Sequence, residues 1–214
     1  VFVRYAKTSP EDVFIEIEAH NRGPDVAELH LLPHLWFRNT WSFDGKQSER
    51  PRLRTGPRGA GYTSVKADQT PSIHGSKNDY QLEPRWLYAQ GAGEWWFTEN
   101  ESNPARVPGA PASGRYYKDA FHRRLVDGDV AAVNPVGEGS RCCLVVKREV
   151  IAGGSTRLRL RLAPQRLDDP FAPGGSVFDA RKREADEFYE ELHPPLASAD
   201  ERRVQRQALS GLLW

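Results

Sequence analysis

Apolar and polar residues alternate in steps of two along most of the chain. Val1-Phe2-Val3-Arg4-Tyr5 opens in this period, and Val13, Ile15, Ile17 and Ala19 then alternate with Phe14, Glu16, Glu18 and His20. That is the pattern of a half-buried strand. Asn21-Arg22-Gly23-Pro24-Asp25 is a cluster of turn formers, and a further β run covers residues 26–37. The three segments are expected to form an antiparallel meander of a sandwich. Residues 42–61 turn to Arg, Gly, Ser and Pro and predict a long exposed loop. Strands are predicted at Tyr62–Ala67, Tyr80–Ala89, Glu94–Thr98, Arg141–Ile151 and Thr156–Ala163, with a short helix over Tyr117–Val126. In the last strand Leu158, Leu160 and Leu162 face one way, and Arg157, Arg159 and Arg161 form a face expected to be solvated.

After Pro170 the period lengthens to three or four. Ser176 with Asp179 makes a variant capping box for a helix over Val177–Leu192, which Pro194-Pro195 stops. Ser198 with Glu201 is a full S-x-x-E box opening a second helix, whose apolar face is Val204, Ala208, Leu212 and Trp214. The grammar divides the chain into a β domain over 1–163, a linker with a helix over 164–197, and the start of a helical domain over 198–214. The chain has no methionine, begins in a strand and closes on Leu212-Leu213-Trp214. It is expected to be a piece of a longer polypeptide, with the missing part packed on the last helix.

Charge and composition narrow the partners. Thirty basic and 29 acidic residues leave a formal charge of +1, which removes the electrostatic case for a nucleic-acid binder. The longest apolar stretch, residues 29–37, is interrupted by His30, Pro33 and His34 and is too short to span a membrane. Cys142 and Cys143 are expected to be buried thiols of a strand; a vicinal redox pair or half of a metal site is the alternative. His30 and His34 have the H-x3-H spacing but lie in a strand with no third ligand nearby, so no metal is assigned. No nucleotide, nucleophile-elbow or zinc-type motif occurs, no carboxylate pair stands out, and no cofactor is assigned. The Arg50, Arg52, Arg54 and Arg58 run lacks aromatic interleaving and is expected on a solvated loop.

The aromatic blocks carry the candidate chemistry. Leu35-Trp36-Phe37-Arg38-Asn39-Thr40-Trp41 sets two indoles beside an Arg and an Asn at a strand-to-loop transition. Indole faces stack on the C–H faces of sugars, and Arg or Asn bonds hydroxyls beside them. Trp36, Arg38, Asn39 and Trp41 are therefore the candidate substrate-binding residues, with core or interface packing as the alternative. Glu94-Trp95-Trp96-Phe97-Thr98-Glu99-Asn100 has a similar make-up.

These blocks resemble a known family. His20-Asn21-Arg22-Gly23-Pro24, and Leu29-His30-Leu31-Leu32-Pro33 running into the Trp36–Trp41 block, are similar to bacterial members of glycoside hydrolase family 63, which includes mannosyl-oligosaccharide glucosidases. The likeness continues through Phe97–Asn103, Lys118–His122, Ala132–Pro135, Glu184–Tyr189, Ala199–Glu201 and Gln205–Leu209. One departure is Ser140-Arg141-Cys142-Cys143, where a Gly-Thr-Lys-Ala-Ala-like stretch belongs. The resemblance implies a mainly β fold, an antiparallel β-supersandwich followed by a linker helix and the first helix of a truncated (α/α)6 barrel. It implies an inverting hydrolase whose two carboxyl groups lie in the barrel, about 6.5–9.5 Å apart. No catalytic residue is assigned to this segment. Its expected partners are an oligosaccharide substrate and the missing (α/α)6 catalytic domain, with no nucleic acid and no membrane, and a bacterial cytosol is the favoured compartment. A stand-alone carbohydrate-binding module and a purely structural sandwich are the competing readings.

Overall fold

The computed structural model describes residues 1–39, 41, 50–68, 82–109, 115–172 and 174–213. It is mainly β, with antiparallel sheets and three α-helices. In chain order the strands are β1 (Phe2–Ser9), β2 (Asp12–His20), β3 (Ala27–Leu31), β4 (His34–Trp36), β5 (Leu53–Thr55) and β6 (Tyr62–Ala67). After these come β7 (Arg85–Gln90), β8 (Glu94–Thr98), β9 (Glu138–Gly139), β10 (Arg141–Val150) and β11 (Ser155–Ala163). The helices are α1 (Ala120–Val126), α2 (Ser176–Leu192) and α3 (Ala199–Leu213).

Two sheets enclose one core. The larger has the order β1-β2-β11-β7-β6-β5-β9; in the smaller, β10 is central, with β8 on one side and β3 and β4 on the other. Leu53, Val65, Leu87, Leu158 and Leu160 of the larger sheet and Leu31, Trp95, Phe97, Cys142 and Leu144 of the smaller belong to the same buried cluster. Such interdigitation of two inner faces is how antiparallel sheets bury their apolar stripes.

The expected meander does not form. β1 pairs with β2, but the other edge of β2 is taken by β11, so the chain crosses after residues 21–26 and enters the other sheet as β3. The run 26–37 is a single line of strand broken by a proline. Leu31 lies opposite Val146 and His34 opposite Cys143, so β3 and β4 keep one register along β10. Pro33 has no N–H to give, yet its carbonyl still accepts from Leu144 N at 3.1 Å.

The predicted loop also contains structure. Leu53 is fully buried in β5, and Arg52 and Arg54 pair with Glu138 at 3.1 and 3.6 Å; residues 42–49 lie outside the described residues. β7 begins at Arg85, and Tyr80 and Gln81 of the predicted strand lie outside the described residues.

Nor is the Arg face of β11 solvated throughout. Arg4, Glu16 and Arg159 stand opposite one another across three strands, with ion-pair distances of 2.6 and 2.8 Å. Glu16 is only 3% exposed beneath them. Arg161 is buried, makes a two-pronged contact with Asp12 at 2.9 and 2.6 Å, and donates to Pro170 O at 2.7 Å. The cover is residues 164–172, which fold back over this outer face. Tyr88 Oη accepts from Leu167 N at 2.7 Å, and Phe171 meets Phe14 edge to face. The compact β unit accordingly runs through Ala172.

Residues 173–214 form a second unit. α2 starts from Gly175 at its N-cap, so the Ser176 box does not set its start. The Ser198 box forms as predicted: Glu201 N donates to Ser198 Oγ at 3.3 Å, and Ser198 N donates back to Glu201 Oε2 at 2.8 Å. Within the unit, Tyr189 Oη lies 2.8 Å from Ser210 Oγ, and Arg206 stacks on Tyr189 while pairing with Asp186 at 2.6 Å. Val204 and Leu212 of the predicted apolar face are exposed; Trp214 lies outside the described residues.

Candidate functional site

Strand parity decides where the candidate residues point. Leu35 and Phe37 pack against the shared core, so Trp36 and Arg38 face outward. Trp36 is 54% exposed and stands directly opposite Arg141 of β10, which in turn stands opposite Thr98 of β8. The next row on this outer face is His34, Cys143 and Trp96. Cys143 and Trp96 of that row are covered by α1 and the short 3-10 turn Val130–Ala132, through Ala120, Phe121, Ala132 and Val133, while His34 stays exposed at the edge, its ring edge-on to Phe121.

Beyond β4 the chain turns inward. Phe37 N donates to Ser140 O at 3.1 Å, extending the ladder by one step. Asn39 Nδ2 donates to Asn100 O at 3.2 Å, and Asn100 Nδ2 donates to Phe37 O at 2.9 Å. Trp41 is 7% exposed, and its Nε1–H donates to Glu101 Oε1 at 2.8 Å. Arg50 approaches the same oxygen at 3.2 Å. Glu101 is 2% exposed, and its second oxygen has no partner among the described residues. One carboxylate therefore holds both Trp41 and Arg50, on either side of residues 42–49.

The four candidates divide into two pairs. Asn39 and Trp41 are built into the fold, whereas Trp36 and Arg38 are exposed. Glu101, Asn100, Arg50 and Arg141 are neighbours that the sequence did not single out. The polar run Glu99-Asn100-Glu101 just past an apolar strand was the available signal for the first two. Arg50 was hidden in a run of similar arginines.

Several blocks distant in sequence meet at this end of the smaller sheet. Lys118 N donates to Glu101 O at 3.0 Å, Thr98 Oγ1 to Tyr117 O at 2.7 Å, and Asn103 Nδ2 to Asp119 Oδ2 at 3.0 Å. Asn134 N donates to Phe97 O at 2.9 Å. Gly139 is forced to be glycine here, since a Cβ would lie 2.3 Å from Thr98 O.

Arg141 anchors the exposed side. Its Nη2 donates to His34 Nδ1 at 2.8 Å and its Nη1 to Asn100 Oδ1 at 3.4 Å, while its guanidinium lies over the Phe121 ring. A guanidinium only donates, so His34 Nδ1 is the acceptor and the ring proton sits on Nε2. Desolvation, and next the Arg141 charge, pull the His34 pKa down to about 4. His30 has a different neighbour, Glu28 at 3.6 Å, and the H-x3-H pair is not brought together with a third ligand among the described residues.

The adjacent cysteines share no site. Cys142 belongs to the inner core and Cys143 to the outer cluster, because successive strand residues face opposite ways. Burial raises both thiol pKa values, that of Cys143 to about 12. No described helix is long and apolar enough to cross a membrane.

No protein-family model matches the chain. It is similar to an uncharacterized protein of Saccharomyces cerevisiae, YMR196W, at 31% identity over 242 aligned residues. The alignment takes in all of this chain and 22% of that relative, so the chain spans about a fifth of the relative's length.

Proposed function

We propose that this chain is the non-catalytic β portion of a glycoside hydrolase of the inverting α-glucosidase type, acting on oligosaccharides. In this reading the β unit is part of a β-supersandwich, α2 belongs to a linker, and α3 opens an (α/α)6 barrel that carries the chemistry. The observation that supports it most is the meeting of distant motif blocks around one exposed indole. Residues 36–39, 41, 97–103, 118–121 and 134 belong to the blocks that carry the resemblance to family 63, and they gather at one end of the smaller sheet. That end presents Trp36 and Arg38 outward, an apolar platform with a donor beside it. The length of the yeast relative is compatible with a β portion attached to a larger polypeptide.

The site's roles differ within the block. Trp36 and Arg38 contact sugar; Asn39 and Trp41 hold the turn that presents them. Titrating the 214-residue chain with maltotriose while following tryptophan fluorescence tests the binding half. Saturable quenching that Trp36→Ala abolishes, with the melting temperature unchanged, is the expected result. No response from the native chain would leave only a structural sandwich. In a longer polypeptide containing this segment, an α-glucoside should be hydrolysed with release of the β-anomer, read directly by NMR.

A further inference from the structure

Arg141 is a partly buried cation with no counter-ion among the described residues. Among the described residues no carboxylate lies within ion-pair distance of it; its partners are the neutral His34 ring and the Asn100 side-chain carbonyl. Its Nε is buried with no acceptor. The nearby carboxylates have donors of their own: Glu99 accepts from the backbone N and Oγ of Ser140, and Glu101 from Trp41 and Arg50. Phe121 offers its ring at 5.7 Å, a contact worth roughly 0.5–1 kcal/mol at an exposed site, well short of what an anion supplies. Burial accordingly presses the Arg141 pKa below the ordinary guanidinium value.

Most of the arginines of the β unit that are not fully exposed are paired, which sets Arg141 apart from them. Arg4, Arg52, Arg54, Arg85, Arg106, Arg123, Arg124, Arg157, Arg159 and Arg161 each have a carboxylate within ion-pair distance. Arg141 does not, and it lies directly across from the exposed indole of Trp36. Arg38, two residues further along, is exposed on the same outward parity.

We infer that Arg141, with Arg38, forms an anion subsite beside the Trp36 platform, so that the preferred ligand is a saccharide bearing a carboxylate or a phosphate. This rests on the sugar-binding reading of Trp36 and sharpens its substrate class. The Arg141 side chain is held by His34, Asn100 and Phe121, so its charge is in place before the ligand arrives. Trp36 supplies the stacking face, and Arg38 adds a second, solvated charge at the rim.

The test is a set of parallel fluorescence and calorimetric titrations of the 214-residue chain. Glucuronate and glucose 6-phosphate stand for the two anions, glucose and maltotriose for the neutral sugars, and inorganic phosphate for charge without sugar. The expected result is a preference of about tenfold or more for an anionic sugar over glucose, the scale of one charge-assisted hydrogen bond. It should weaken as salt is raised. Arg141→Gln and Arg38→Gln should each shrink the preference, and Arg141→Lys should keep most of it. Because Arg38 is exposed, its variant remains interpretable even if Arg141→Gln fails to fold.

Equal affinity for glucose and glucuronate, or a preference that survives in both glutamine variants, overturns the anion subsite. Maltotriose binding would then still stand, and the neutral-sugar reading with it. Inorganic phosphate bound as tightly as glucose 6-phosphate would keep the charge site and remove the sugar from it. No binding of any anion overturns the inference whatever the neutral sugars do.

Discussion

His34 is the residue whose environment departs furthest from what its type suggests. Accepting a hydrogen bond from Arg141 at Nδ1 requires a neutral ring, and desolvation together with the Arg141 charge lowers the pKa to about 4 from 6.5. The sign follows from proton linkage. Between pH 6.5 and 4 the unfolded chain takes up a proton that the folded ring refuses, so stability falls as the pH falls through that window. The contribution is fully present above 6.5 and lost by about 4. The melting temperature of the native chain should therefore drop more steeply from pH 7 to 4 than that of His34→Gln. Parallel curves for the two proteins would remove His34 as the cause. At this scale the sequence showed which residue types were present and which strand face each took. It did not show that Trp41 would reach Glu101, 60 positions away, while Trp36 stayed in solvent.

Among the elements, β11 shows where periodicity stops being informative. Its leucines face the core as their spacing requires, but its three arginines have three different fates. Arg157, with 48% of its side chain exposed, keeps long contacts to Glu16 and Glu18 of 3.5 Å; Arg159 pairs at 2.8 Å; Arg161 is buried against Asp12. Removing one member of a buried pair strands the other charge, at about 3–5 kcal/mol, whereas an exposed pair contributes about 0–1 kcal/mol. Asp12→Ala should thus destabilise the β unit by about 3–5 kcal/mol in urea denaturation, and Arg157→Ala by less than about 1 kcal/mol. Comparable losses would mean that Arg161 is better hydrated than its geometry implies. Alternation reports which face a residue takes; the cover over that face comes from residues 164–172, which no strand pattern describes.

For the whole molecule, the end of the β unit is set by packing more than by the last strand. Leu167 and Phe171 lie against Tyr62, Tyr88 and Ala163, and the Pro170 carbonyl receives Arg161. A chain ending at Ala172 should therefore melt well above one ending at Ala163. The shorter chain exposes Tyr88 and Phe14 and leaves Tyr88 Oη without its Leu167 donor, a deficit of about 2–5 kcal/mol. Equal melting temperatures would show that 164–172 adds nothing to the sheet it covers.

The sequence by itself determined the longer strands, their inward faces and the Ser198 cap, because each rests on local spacing and parity. It could not determine which sheet a strand joins. β2 has two edges, and the alternation that marks it as a strand does not distinguish β3 from β11 as the neighbour on the second. Tertiary structure made that choice. It also brought Glu101 to Trp41 and Arg50, hid Arg161 under the segment after β11, and left Arg141 beside Trp36 with no carboxylate partner among the described residues. Each is a contact between residues far apart in the chain, decided by burial and by which charges find partners once the two sheets close on one core.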